Sequence, residues 1–300
     1  MDAAVSSGRF NRHAPGMLTL TVEEVRDAVR AALAEDLGVA GDVTTLACIP
    51  PEAVSTALMN AREPMTVAGL DFAVEAFRAL GPNLHCERCV ADGAAVPAGT
   101  LLLRVQGQTR AILSAERVAL NFSQRLSGVA TATARFVELV QGTPAKILDT
   151  RKTTPGWRRF EKYAVACGGG TNHRVGLFDL ILIKDNHLAA LAGATPNPVA
   201  AAVQRARQLY PQLRVEVEAD RLEQVTQAVD AGADIILLDN MPPEVLRAAV
   251  ALVAGRAKTE ASGGVNFQTA RAIAETGVDL ISIGAITHSA RSVDIGLDFV

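Results

Sequence analysis

Short clusters of charged residues interrupt apolar, β-rich sequence through the second half of the chain. They are Asp149-Thr150-Arg151-Lys152, His173-Arg174, Lys184-Asp185-Asn186-His187, Glu216-Val217-Glu218, Asp239-Asn240 and Glu260-Ala261-Ser262. Arg and Lys bind carboxylates and phosphates, Arg through a bidentate fork. Between Lys146 and His187 eight Lys or Arg stand against four Asp or Glu, a net of +4; the whole chain carries −3, so the remainder carries −7. A cationic stretch in an acidic protein suits a small, multiply anionic substrate, because the local field concentrates it. Arg158, Arg159 and Lys162 within that stretch read as the solvated face of a helix. Glu218 and Asp239 supply the opposite chemistry: two carboxylates able to hold Mg2+ with its waters, or the hydroxyls of a ribose. Two glycine elements, Ser262-Gly263-Gly264 and Ile283-Gly284-Ala285, offer backbone N–H groups that a phosphate can approach, since no Cβ intervenes. The run Gly168-Gly169-Gly170-Thr171-Asn172 reads as a loop that delivers His173 and Arg174. Together these features point to glycosyl transfer from a phosphate-bearing sugar. Carboxylates would stabilise its oxocarbenium-like transition state, and cations its departing pyrophosphate.

Something must hold these clusters together, and the apolar runs between them provide it. β-rich runs recur at Ala145–Asp149, Leu180–Lys184, Arg214–Glu218, Ile235–Asp239, Ala257–Ala261 and Leu280–Ile283. Helical, Ala-rich stretches lie between them at Pro198–Leu209, Leu222–Ala231, Pro243–Ala254 and Phe267–Glu275. The last four strand starts are 21, 22 and 23 residues apart, one β/α unit each, which predicts a parallel sheet. The first two gaps are longer, 35 and 34 residues, leaving room for functional loops. Six strands cannot make an eight-stranded barrel, so the pattern predicts a six-stranded, incompletely closed α/β barrel, with a doubly wound sheet as the alternative. In either case ligands gather at the carboxyl ends of the strands, and charged or small polar residues stand at that end of all six, with His173-Arg174 delivered by the loop between the first two. Alternation along Val215-Glu216-Val217-Glu218 puts both glutamates on one face.

The first half is less regular. Thr21 and Glu24 have capping-box spacing at the start of a helix whose apolar positions are Val25, Val29 and Leu33, with Gly38 as its stop. Short segments at Ala57–Ala61, Leu70–Leu80 and Cys86–Val90 follow, then a turn-rich stretch and a strand at Leu101–Gln106, together an α+β unit. A helix runs from Ser114 to about Thr133. Ala119, Phe122 and Leu126 form its apolar side, and Ser114, Arg117, Asn121 and Arg125 a polar stripe that reads as solvated.

Composition excludes several functions. With 49% hydrophobic residues the chain can bury a core, so intrinsic disorder is excluded for its bulk. A net charge of −3 and 4% aromatics argue against nucleic acid as partner. No apolar run approaches the ~18 residues of a membrane span. Four cysteines are too few for a secreted disulfide scaffold, so the chain reads as cytoplasmic and reduced. Cys86 and Cys89 have half the spacing of a zinc knuckle, but no further pair completes four ligands, which favours a structural reading. Residues 1–17 contain Arg9, Arg12 and His13 but no apolar core, so they read as a disordered tail rather than a signal peptide.

The motifs match a known family. Glu116-Arg117-Val118-Ala119-Leu120-Asn121, Asp149-Thr150-Arg151-Lys152-Thr153-Thr154-Pro155-Gly156, Gly169-Gly170-Thr171-Asn172-His173-Arg174 and Ile183-Lys184-Asp185-Asn186-His187 carry the likeness. So do Val215-Glu216-Val217-Glu218, Leu238-Asp239-Asn240 and Ala261-Ser262-Gly263-Gly264. From about Leu18 to Val300 the chain resembles quinolinate phosphoribosyltransferase, that is, nicotinate-nucleotide pyrophosphorylase (carboxylating). The resemblance implies an N-terminal α/β sandwich over 18–130, joined by the C-terminal segment 289–300, and a catalytic open α/β barrel over 131–288. It implies a pentosyltransferase of de novo NAD biosynthesis. Such an enzyme transfers phosphoribosyl from phosphoribosyl pyrophosphate to quinolinate with decarboxylation, giving nicotinate mononucleotide, CO2 and pyrophosphate. It implies a homodimer with shared active sites, leaving open whether a higher oligomer forms. Arg117 would reach the partner's pocket and, with Arg151, His173, Arg174 and Lys184, cage the two carboxylates of quinolinate. Lys152 would bind phosphoribosyl pyrophosphate, Glu218 and Asp239 its ribose and Mg2+, and Ser262, Gly263, Gly264, Ile283, Gly284 and Ala285 its 5′-phosphate. Lys152, Lys184, Glu218 and Asp239 are thus the expected catalytic set. Two other readings remain at the sequence level: a Schiff-base barrel lyase using Lys184, and a non-catalytic accessory homologue.

Overall fold

The computed structural model describes residues 18–300; the tail expected over 1–17 lies outside the described residues. The chain divides into two compact units. One runs to Ser123 and takes in Ile295–Val300; the other is Gln124–Asp294. The sequence reading divides the chain near residue 130 and at 289, some residues away from these boundaries.

The first unit is built on a four-stranded antiparallel sheet. Helices α1 (Val22–Leu37) and α2 (Val43–Cys48) precede β1 (Val54–Ala61) and the short β2 (Met65–Thr66). Then come α3 (Leu70–Leu80), β3 (His85–Arg88), β4 (Ala95–Val96), β5 (Leu101–Gln108) and α4 (Thr109–Leu139). The sheet order is β12-β1-β5-β3, where β12 is the C-terminal Ile295–Phe299, and β2 pairs with β4 alone. Ala57, Met59 and Ala61 alternate along β1 and are fully buried, the period-two signature of a sheet with one covered face. At the start of α1, Glu24 N–H donates to Thr21 Oγ1 at 3.2 Å and Thr21 N–H to Glu24 Oε2 at 2.8 Å, so the capping box forms as its spacing predicts. Asp92 accepts from the Gly69 and Leu70 amides at 2.7 and 3.2 Å and satisfies the open end of α3. Phe72 of that helix stacks on Phe122 at 4.7 Å.

Helix α4 extends past the expected Ser114–Thr133 at both ends, to Thr109 and Leu139, with Gly128 inside it. Gly128 has a packing purpose: a Cβ there would lie 2.0 Å from the Arg291 carbonyl, so the glycine lets the chain returning from the barrel pass against the helix.

The second unit contains β6 (Lys146–Leu148), α5 (Arg158–Cys167), β7 (Ile181–Ile183), α6 (Asp185–Ala189), α7 (Pro198–Leu209) and β8 (Val215–Ala219). It continues with α8 (Leu222–Asp230), β9 (Ile235–Asp239), α9 (Pro243–Val253), β10 (Lys258–Ser262), α10 (Ala270–Ala274), β11 (Leu280–Ser282) and α11 (Ala285–His288). The sheet order is β6-β11-β10-β9-β8-β7, every pairing parallel. The first strand thus sits beside the last, whereas a doubly wound sheet would place it in the middle. β6 and β7 do not pair with each other, so the result is an open α/β barrel. On the β6 side of the gap, Thr171 forms a single parallel bridge to Leu148. Val215, Val217, Ile236, Leu238, Ala261 and Ile281 are buried and make the strands' apolar content. Helix α10 starts three residues later than the expected Phe267, because the Asn266 side chain accepts from the Gln268 and Thr269 amides at 2.9 and 3.1 Å. That local turn competes with the helix.

Candidate active site

Alternation in β8 turns Val215, Val217 and Ala219 to one side and Glu216 and Glu218 to the other. Because all six strands of the second unit run parallel, their carboxyl ends meet at one mouth. A cavity of about 610 Å3 opens there, lined by Arg151, Lys152, His173, Arg174, Lys184, Glu218, Asp239, Glu260, Ser262, Gly263 and Gly264 among others. A smaller cavity of about 220 Å3 shares Lys152 and the Ser262-Gly263-Gly264 turn and adds Ile283, Gly284, Ala285 and His288. The structure therefore brings together every expected site residue of the barrel. Arg117 lies in the other unit, exposed on α4, and lines neither cavity. A cavity of about 520 Å3 at the amino ends of the strands is chemically spent. Lys258 there is committed to Asp279 at 2.5 Å and Asp234 to Arg207 at 2.7 Å.

Two buried acids shape the cationic loops. Asp149, at the end of β6, is 0% exposed; its Oδ1 accepts from Lys162 Nζ and from the His173 amide at 2.8 Å, and its Oδ2 from Asn172 Nδ2 at 2.6 Å. Lys162 Nζ also donates to the His173 carbonyl at 2.9 Å. Burial pushes Asp149 up and Lys162 down, and their mutual attraction works the other way. Lys162 is thus wholly buried, not solvated as the helical spacing suggests, since α5 is buried on every side from Glu161 through Val165. Glu161, also 0% exposed, accepts from Arg125 Nη2 at 2.6 Å, from the Thr154 amide at 3.0 Å and from Thr154 Oγ1 at 2.8 Å. Arg125 therefore leaves the solvated stripe to which its spacing assigned it. Arg158 is half-buried as well, joining the two loops through Thr153 Oγ1 at 3.1 Å and the Val175 carbonyl at 3.1 Å; Arg159 is half-buried beside it.

The cavity holds unspent positive charge. Arg151 Nε is buried without an acceptor. Burial, followed by repulsion from Arg151, works against the charge on Arg174. Both features are eased by an incoming anion. Lys184 Nζ forms an ion pair with Glu218 Oε2, which is unlike the apolar pocket that turns a lysine into a Schiff-base nucleophile. Asp239 is half-buried, and its Oδ2 accepts from Asn240 Nδ2 at 2.7 Å. Glu218 and Asp239 thus bring two hard oxygen-donor groups to the mouth of the cavity. That set fits Mg2+, which prefers one or two carboxylates with waters and substrate phosphates.

The glycine turns are built for close approach. Gly263 has φ +95°, and a Cβ on it would lie 2.1 Å from Asn240 Oδ1; Gly264 follows at φ +61° with open space around it. A Cβ on Gly284 would meet Lys152 Cδ at 3.0 Å and His288 Nε2 at 3.1 Å. His288 is a site residue that the sequence reading missed. Its position four residues after Gly284, one helical turn on, was the available signal.

His173 is 9% exposed, and both its ring nitrogens face protein. Nδ1 accepts from the Arg174 amide at 2.7 Å. Nε2 lies 3.1 Å from Glu216 Oε2 and 3.5 Å from Glu260 Oε2. These three side chains are the one group of three or more His, Cys, Asp or Glu ligand atoms within mutual reach among the described residues. Burial, then repulsion from Glu216, pushes Glu260 up to about 7.

Comparison with known proteins agrees with this geometry. Residues 129–298 match the family described as quinolinate phosphoribosyl transferase, C-terminal domain, and residues 42–127 its N-terminal domain. The nicotinate-nucleotide pyrophosphorylase [carboxylating] of Mycobacterium leprae is 45% identical over 283 residues, 92% of this chain and 97% of that protein. The chloroplastic protein of the same name from Arabidopsis thaliana is 42% identical over 289 residues, 91% of this chain and 82% of that one. The solved structure of the nicotinate-nucleotide pyrophosphorylase from Francisella tularensis superposes with a TM-score of 0.89 at 40% identity, covering 96% of this chain and all of that one. Matched by both domains and along nine-tenths of its length, the chain belongs to the quinolinate phosphoribosyltransferase family.

Proposed function

We propose that the protein transfers the phosphoribosyl group of phosphoribosyl pyrophosphate to quinolinate with decarboxylation, forming nicotinate mononucleotide, CO2 and pyrophosphate for de novo NAD synthesis. The observation that carries this reading is the cavity itself: unspent cations on one side, two carboxylates on the other, and glycine turns at its edge. Arg151, Arg174 and Lys184 bind the two carboxylates of quinolinate, with His173 contributing through Arg174, whose amide its ring accepts. Lys152 binds the pyrophosphate side of the other substrate, and the amides of Gly263, Gly264, Gly284 and Ala285, with His288 beside them, take its 5′-phosphate, the Ile283 amide being committed to the Leu148 carbonyl at 2.9 Å. Glu218 and Asp239 bind the ribose hydroxyls and would hold Mg2+, which when bound neutralises pyrophosphate charge.

The pyridine nitrogen of quinolinate attacks the anomeric carbon as the bond to pyrophosphate breaks. Carboxylates near the ribose favour the positive charge that develops on it, and Lys152 favours the negative charge that leaves. The C2–carboxylate bond then breaks, CO2 departs, and the electron pair left on C2 takes a proton. Arg117, exposed on α4, completes the cage in a second copy of the chain, so the working species is a homodimer. A cytoplasmic location is supported by four free cysteines, and among the described residues no helix is long and apolar enough to cross a membrane.

Purified protein given quinolinate, phosphoribosyl pyrophosphate and Mg2+ is expected to release nicotinate mononucleotide, CO2 and pyrophosphate in equal amounts. No turnover of quinolinate, or equal turnover of nicotinate, overturns the proposal. Borohydride with substrate is expected to trap no adduct on Lys184.

A further inference from the structure

At the floor of the cavity, which Glu260 lines, Glu216 and Glu260 are both 0% exposed, and none of their four carboxylate oxygens has a well-aligned hydrogen-bond donor. Two adjacent buried carboxylates without donors cost stability, and they would repel the anions the cavity is built to receive. Nothing in the transfer step uses them. The polar groups beside them are the His173 ring edge, at 3.1 and 3.5 Å, and the Ser282 side chain next to Glu260. The opposite edge of that ring carries Nδ1, which accepts the Arg174 amide. An imidazole that accepts at Nδ1 bears its proton on Nε2, and the carboxylates face that nitrogen. The rest of the dipeptide is pinned as well, with the His173 amide and carbonyl held by Asp149 and Lys162.

We propose that Glu216 and Glu260 are positioning residues for substrate capture: they fix the tautomer and orientation of the His173 ring, whose Nδ1 fixes the Arg174 backbone and so aims the Arg174 guanidinium into the cavity. The stability given up in the floor is the cost of that aim. The inference rests on the proposed function only in naming quinolinate as the anion that Arg174 meets.

The variants Glu216→Leu and Glu216→Gln separate this role from a structural one. Removing one of two repelling buried carboxylates is expected to leave the melting temperature unchanged or raised, where loss of an ordinary structural residue lowers it. The KM for quinolinate is expected to rise about tenfold or more in Glu216→Leu, less in Glu216→Gln, with kcat and the KM for phosphoribosyl pyrophosphate within about threefold of the starting protein. In an Arg174→Ala background, Glu216→Leu is expected to add less than about twofold, because its effect travels through Arg174. Additive losses, or equal losses in kcat and both KM values, overturn the proposal.

The crystal structure of Glu216→Leu without substrates gives a readout independent of the reaction. A rotated ring and a displaced Arg174 are expected; an unmoved pair overturns the inference even if the starting protein turns over no quinolinate. Should Glu216→Leu fail to fold, His173→Phe keeps the ring and deletes both nitrogens. It is expected to show the same quinolinate-specific KM increase, and an unchanged KM overturns the proposal.

Discussion

Lys162 and Asp149 form a charge pair with both side chains at 0% exposure, so neither can be removed cheaply. Lys162→Met leaves Asp149 buried with its negative charge uncompensated, and unfolding in urea is expected to report a loss of about 3–5 kcal/mol. Asp149→Asn combined with Lys162→Met is expected to lose less than the two single changes summed, because neither charge is then left alone. A second residue-scale consequence concerns pH. Glu260 is raised from its ordinary 4.5 to about 7 in the folded protein, first by burial and then by Glu216. Between those values the folded state keeps a proton that the unfolded state releases, so this group's stabilising contribution is present at low pH and lost as pH rises toward 7. Glu260→Gln is expected to flatten that part of the stability profile, measured by denaturant titration from pH 4.5 to 8. An unchanged slope would place the titration elsewhere.

At the scale of elements, the strand–loop junctions divide labour between backbone and side chain. Gly263 and Gly264 both adopt left-handed φ values, yet a Cβ meets Asn240 Oδ1 at 2.1 Å at the first and open space at the second. Gly264→Ala is expected to cost only the ~1–2 kcal/mol of the left-handed conformation. Gly263→Ala must also move Asn240, whose amide bonds Ser262 at 2.9 Å, so it is expected to cost more and to raise the KM for phosphoribosyl pyrophosphate by roughly tenfold. Equal effects from the two changes would mean that the turn does not depend on that approach.

These elements were the most legible part of the sequence. The runs Ile235–Asp239 and Pro198–Leu209 coincide with β9 and α7 as expected, because hydrophobic period and Pro at the first helical turn are local signals. Charged residues at strand ends were legible for the same reason. Lys162, Arg125 and the floor beneath His173 were not. Their burial depends on partners far away in the chain, such as Asp149 13 residues before Lys162 and Glu161 36 residues after Arg125. No period in a single helix records such a partner. His173 was found, but the direction of its ring was not, since a sequence says where a side chain is attached and not which edge it presents.

The net charge of −3 conceals a segregation, with +4 between Lys146 and His187 set against −7 elsewhere. That stretch supplies the cavity's Arg and Lys side chains, yet the cation that completes the cage of one site is expected from a second chain. The arrangement predicts a complementation that no single-chain site can show. Arg117→Ala and Lys152→Ala homodimers are each expected to be nearly inactive, because every site lacks one of the two groups. After subunit exchange, a mixed dimer has one site lacking both and one lacking neither. With equal amounts and random pairing, half the dimers are mixed and half of their sites are intact, so activity is expected to recover to roughly a quarter of the starting protein's. Exchange can be followed independently by the mass of mixed dimers carrying two different tags. Recovery without exchange, or proven exchange without recovery, would return Arg117 to its own chain's site or remove it from the reaction. A rise in activity that tracks the mixed-dimer fraction would make the dimer the catalytic unit.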